Sequence, residues 1–204
     1  MLRATLAITL VLIAIFFALV AHFLGPDLIK TRNENAIWYF LHITGGTVVL
    51  ALGPIQFIAP IRNRFRRYHR AAGYTYLIAS VMAFVGIIGL LPPKFDLFFP
   101  SQMTALILWL LCVVFAVRAA RAGKFLSHQH NMARSFVLAA YFLTVRLVDR
   151  HGMWLLTPLV TSEPARMAHS DWVAWVIPLA VVEIYFSFKW QATLRGAKRP
   201  AGAA

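Results

Sequence analysis

The sequence predicts an all-α integral membrane protein, a bundle of six transmembrane helices with both termini cytoplasmic. Three observations predict it. Of the 204 residues, 60% are apolar and 13% charged, a balance outside the range of soluble domains. Several apolar stretches approach or exceed the roughly 20 residues that cross a bilayer. The basic residues are divided unevenly between alternate loops, as cytoplasmic and external loops of a membrane protein are. No run of alternating hydrophobicity is long enough for a membrane β-barrel.

The first expected span is 4–24. It follows Met1-Leu2-Arg3, but its apolar run outlasts a signal-peptide core and no small-x-small site closes it, so it reads as a retained helix. Gly25-Pro26-Asp27 stops it. The second span, 36–59, opens with Trp38 and Tyr39, which suit the membrane interface. Pro54 is expected to kink it and Pro60 to end it. A loop with Arg62, Arg64, Arg66, Arg67 and Arg70 leads to the third span, 71–91, closed by Pro92-Pro93. The fourth span is 103–117. A basic loop carrying Lys124, His128 and His130 leads to the fifth, 132–148, which Asp149-Arg150-His151 ends. A longer loop precedes the sixth span, 171–190. The segment 1–190 is thus one transmembrane domain, and 191–204 reads as a basic, disordered tail.

The net charge of +13 invites a nucleic-acid reading, but its distribution argues against one. With six spans, fourteen Lys and Arg residues fall on the side of the termini and five on the other. That bias places the termini in the cytoplasm. The single cysteine, Cys112, has no partner for an internal disulfide and reads as a small buried residue.

Residues three and four apart share a helix face. On the second helix His42, Gly46, Val49, Gly53 and Gln56 form one stripe. On the third, His69, Gly73, Tyr76, Ser80 and Ala83 form another. Glycines on such faces let a helix, or a flat cofactor, approach the backbone. The fifth helix offers two polar faces. One runs through His128, Met132, Ser135 and Ala139, the other through His130, Arg134, Tyr141 and Thr144. A helix polar on two faces belongs at the centre of a bundle.

Charges within a membrane require partners, since each costs about 2.5–3.5 kcal/mol at a helix centre. Glu183 in the sixth span is expected to pair with Arg134, and Arg146 with Asp149. Alternatively, Arg134 holds an acidic group such as a haem propionate or a lipid phosphate.

His69 sits at the cytoplasmic boundary, as do His128 and His130. His42 sits in the outer half of the second helix, with His22 and His151 near the outer boundary. Two histidines at equal depth on facing helices are what bis-histidine ligation of a b-type haem requires, and neutral imidazole is a good iron ligand. The structural alternative is that boundary histidines hydrogen-bond at headgroups. Phosphate-binding loops, Ser-His-Asp order, CxxC and HExxH motifs are not present in the sequence.

Three blocks stand in order: Gly53-Pro54-x-Gln56-Phe57, then His69-Arg70-x-x-Gly73-x-x-Tyr76, then His128-x-x-x-Met132-x-Arg134. Together with His42 they resemble a bacterial multi-pass membrane family catalogued as domain of unknown function 2306, over roughly residues 38–148. One departure is Asn131, where the family has a tryptophan; His130 is additional. The resemblance selects His128 over His130. It implies a fold and a set of important residues, not a reaction. The histidine layout is similar to that of cytochrome b561-like and ferric-reductase-like proteins, an analogy of arrangement.

The leading expectation is a haem b electron-transfer protein of the bacterial inner (plasma) membrane, a candidate membrane oxidoreductase. His69 and His128 would ligate the inner haem iron, and His42 with His151 or His22 would form an outer site. Arg70 and Arg134 would hold propionates, Gly73 and Gln56 would line the site, and a quinone or another redox partner would exchange electrons. The other expectation is a non-enzymatic membrane protein, a small transporter or accessory subunit, with structural or lipid-binding His and Arg residues.

Overall fold

The computed structural model describes residues 18, 35–91, 97–156 and 158–197, with side chains to 189. Apart from Ala18, the first expected span and His22 lie outside the described residues, as do 198–204. All regular structure among the described residues is helical. The helices are α1 (Ala36–Gln56), α2 (Ala59–Arg64), α3 (Arg66–Gly89), α4 (Phe99–Arg121), α5 (Phe125–Ala139), α6 (Tyr141–His151), α7 (Met153–Leu156) and α8 (Glu163–Ala197). The chain forms two compact units, residues 1–96 and 97–204. Helices α1, α3, α4 and α8 are long and apolar enough to cross a membrane. The pair α5–α6, bent by 44° at its break, makes a fifth if it is one span.

Segments expected as loops are largely helical, and proline position explains part of the difference. Pro60 and Pro100 lie in the first turns of α2 and α4, and Pro164 is the second residue of α8. A missing N–H is harmless there, because the first four helical N–H groups have no intrahelical acceptor anyway. Pro60 therefore starts a short helix after Gln56 ends α1. Helix α8 begins eight residues before the expected boundary at Asp171, and its backbone stays helical through 191–197, where a disordered tail is expected.

In the first unit α1 and α3 pack antiparallel through glycines. A β-carbon built on Gly45 would lie 2.6 Å from the Ala79 carbonyl and from the Ala83 nitrogen. One built on Gly86 would lie 2.7 Å from the Trp38 carbonyl and collide with the His42 backbone. Backbone thus meets backbone at two levels, the small-residue contact by which membrane helices associate. Tyr76, Ala79, Ser80 and Ala83 of α3 and Val49, Leu50 and Gly53 of α1 are buried around it. Ile37, Phe40, Ile78, Val81 and Ile88 face outward, an apolar surface suited to lipid.

In the second unit α4 and α5 form a hairpin. Its turn follows from Gly123, whose φ is +71°. Gly123 N–H bonds to the Ala120 carbonyl (3.1 Å) and Lys124 N–H to the Ala119 carbonyl (2.9 Å). This is a Schellman ending, which wants glycine at the left-handed position. Gly123→Ala is expected to lower stability by about 1–2 kcal/mol, read as a fall in denaturation midpoint.

Helix α8 is joined to this hairpin by hydrogen bonds as well as packing. Pro178 lies inside α8 and cannot donate to the carbonyl four residues back, that of Ala174. The Thr144 hydroxyl of α6 lies 2.7 Å from that carbonyl and 2.8 Å from the Tyr141 carbonyl of its own helix, and shares its proton between the two. Membrane helices tolerate proline when a neighbour satisfies the freed group in this way. Thr144→Val is expected to cost about 1–3 kcal/mol, the penalty of a buried carbonyl left unpaired, whereas Thr144→Ser keeps most of the stability. At the next residue, Trp175 Nε1 donates to Ser101 Oγ at 2.9 Å, tying α8 to α4.

Candidate functional site

His69 and His128 occupy matching places. Each is the fourth residue of its helix, α3 and α5; Arg66 and Arg67 open the first turn before His69, and Lys124 caps the helix before His128. Gly73 follows His69 by one turn, and Met132 follows His128 by one turn. His69 belongs to the first unit and His128 to the second, so neither unit by itself holds the inner pair.

The His128 ring has a defined orientation. Its Nδ1 lies 2.9 Å from the Ala116 carbonyl of α4. A carbonyl only accepts, so Nδ1 carries a proton, and in the neutral imidazole the lone pair is then on Nε2. Metal-binding histidines are commonly oriented by such a bond. His130 points elsewhere, stacking on Phe186 of α8 with ring centroids 3.9 Å apart. The two faces read from the sequence thus separate: the His128 face turns to α4 and the His130 face to α8.

Around His69, the other expected residues divide. Gln56, at the end of α1, is only 6% exposed. Its Nε2 is buried with no hydrogen-bond partner among the described residues. Its Oε1 is the one atom within 4 Å of a β-carbon built on Gly73, at 4.0 Å. Gly46 has nothing within 4 Å of such a carbon. Gly46 and Gly73 on the histidine stripes therefore border open space, whereas Gly45 and Gly86 are in tight contact. Gly46→Ala is expected to leave stability unchanged, checked by the same denaturation midpoint. Arg70 is exposed. His42 lies at the other end of α1, its backbone against Gly86, about 21 Å along the helix from Gln56 at 1.5 Å per residue.

Arg134 pairs with Glu183 as expected, and in a two-pronged geometry. Nε lies 2.5 Å from Oε1 and Nη2 2.8 Å from Oε2, with Nη1 3.5 Å from Asn131 Oδ1. The departure from the family's tryptophan therefore places an amide beside this pair. Asp149 accepts from Ser170 Oγ at 2.6 Å, and Arg146 Nη1 donates to the Phe142 carbonyl at 3.3 Å. His151 ends α6 and is exposed.

Sequence reasoning missed one polar cluster. The Tyr141 hydroxyl donates to Asp171 Oδ1, and Asp171 is 3% exposed. Asp171 reads in the sequence as a polar boundary to the sixth span. Among the described residues no group of three or more His, Cys, Asp or Glu side chains is arranged to hold a metal ion.

A chain of apolar helices packed through glycines, with an intramembrane ion pair and boundary histidines, is a multi-pass membrane protein. The family model described as "Predicted membrane protein (DUF2306)" matches residues 39–186, and the chain belongs to that family. No curated protein and no solved structure matches it.

Proposed function

We propose that the chain is a six-span protein of the bacterial plasma (inner) membrane, with both termini cytoplasmic, that binds a b-type haem and exchanges electrons with a quinone or another redox partner. His69 and His128 would hold its iron. The observation that carries this reading is the His128–Ala116 bond, because it leaves Nε2 as the ligating nitrogen before any ligand arrives. The matching place of His69 in α3 supports it.

The residues present fit the group in two further respects. Gly73, one turn from His69, leaves room for a ligand, and Gln56, whose Oε1 borders that room, keeps Nε2 as a buried donor with no partner among the described residues, suited to a propionate or a quinone carbonyl. Arg70 supplies an exposed cation to a second propionate. Arg134, expected to hold a propionate, is instead engaged by both oxygens of Glu183 on the α8 side of α5. Bound haem would supply a one-electron couple; the protein holds its iron and its acidic groups. The outer site of His42 with His151 or His22 belongs to the same reading, and the charge bias of the loops supports the topology.

His128→Ala is expected to abolish haem retention in the purified protein, whereas His130→Ala retains it. Absorbance in the Soret region decides between them, with circular dichroism confirming that both variants fold. Haem retained by His128→Ala at the wild-type level would reject this ligand.

The Arg134–Glu183 pair and the His130–Phe186 stack favour a second reading, in which these polar residues are structural elements of a transporter or accessory subunit. That reading expects His69→Ala and His128→Ala to change stability alone.

A further inference from the structure

The Asp171 carboxyl is buried between three helices. Tyr141 donates to Oδ1, while Oδ2 is buried and meets no hydrogen-bond partner among the described residues. The groups facing the carboxyl are Tyr141 and Asp149 of α6 and the Ser101 hydroxyl and Gln102 amide of α4, the last two close enough to act as hydrogen-bond donors to it. None is cationic, and Asp149 is itself a carboxylate. Among the described residues no Lys, Arg or His makes an ion pair with Asp171. An ionised carboxylate here loses hydration without gaining a counter-charge, and buried charges are otherwise paired or neutralised. The surrounding donors are hard oxygens from a carboxyl, a phenol, a hydroxyl and an amide. Such a set suits a small hard cation, not a soft metal.

We propose that Asp171 is the seat of one exchangeable monovalent cation, a proton or a sodium ion, held together with the Tyr141 phenol oxygen and the Ser101 hydroxyl. A proton taken from water forms an O–H bond at Oδ2 and returns to water on release. A sodium ion exchanges hydration oxygens for those of the protein. Neither step changes an oxidation state. Tyr141 lies thirteen residues beyond His128, roughly 20 Å along helices rising 1.5 Å per residue. The cation site is thus separate from the histidine site and stands whether or not haem binds.

Infrared spectroscopy of the full chain tests this. The sequence has four aspartates, Asp27, Asp96, Asp149 and Asp171. Labelling aspartate carboxyls with carbon-13 in the triple variant Asp27→Asn, Asp96→Asn, Asp149→Asn leaves Asp171 as the only labelled group. A protonated-carboxyl stretch in both sodium-free and sodium-containing buffer identifies a proton. A stretch seen only without sodium identifies a sodium ion that displaces it, and a sodium-dependent shift of the ionised stretch identifies sodium alone. An ionised stretch insensitive to sodium overturns the proposal, because the carboxylate is then stabilised by buried water. Should the triple variant not fold, labelled wild type and Asp171→Asn are compared: a protonated or sodium-sensitive band must vanish in the variant, and its persistence overturns the assignment.

Discussion

Arg134→Ala is expected to lower the unfolding free energy by about 2–3 kcal/mol. The guanidinium meets both Glu183 oxygens, at 2.5 and 2.8 Å, so its removal strands a carboxylate in an apolar helix. Breaking a fully buried pair costs about 3–5 kcal/mol. Here the side chains are 30% and 43% exposed, which reduces the loss toward the insertion value for a charge in a membrane. The double variant Arg134→Ala, Glu183→Ala should recover part of the loss, since neither charge then remains. Denaturant titration of the four proteins of this cycle in detergent measures the coupling. Coupling below about 0.5 kcal/mol would place the pair with ordinary surface ion pairs.

Gly86→Leu is expected to separate α1 from α3, with a loss of about 3 kcal/mol. Overpacking commonly costs about 1–3 kcal/mol when side chains can yield. At Gly86 the obstacles are the Trp38 carbonyl and the His42 backbone, which cannot rotate away. Helix α1 must shift, and His42 shifts with it. The contrast with Gly46→Ala makes the prediction specific: both glycines lie on membrane helices, but only one is in backbone contact. Equal midpoints for the two variants would contradict the packing described.

Much of the first unit was legible in the sequence. Val49, Gly53 and Gln56 of one stripe and Tyr76, Ser80 and Ala83 of the other are buried as those stripes suggest, whereas Gly46 and Gly73 border open space. The contact glycines Gly45 and Gly86 were missed because the stripes were drawn through the histidines. A histidine marks a polar face, whereas the closest helix contact forms where two small residues meet, and that meeting depends on register. The Arg134–Glu183 pair was legible because an intramembrane charge needs an opposite one at similar depth. Proline misled at Pro60 and Pro164, since one residue type both ends a helix and starts the next. The Thr144–Ala174 bond was hidden for another reason. The carbonyl that needs a donor is identified by Pro178, but which hydroxyl reaches it is decided by packing. Asp171 looked like a boundary residue, and only the arrival of Tyr141 over it reveals a buried carboxyl.

The proposed function rests on haem binding between His69 and His128. The most direct measurement is the absorption spectrum of the full chain purified after expression with ample haem supply. A Soret band at about one haem per chain, with sharpened visible bands on reduction, is the predicted result; two per chain would bring in the outer histidines. A purified, folded chain without a Soret band would contradict it.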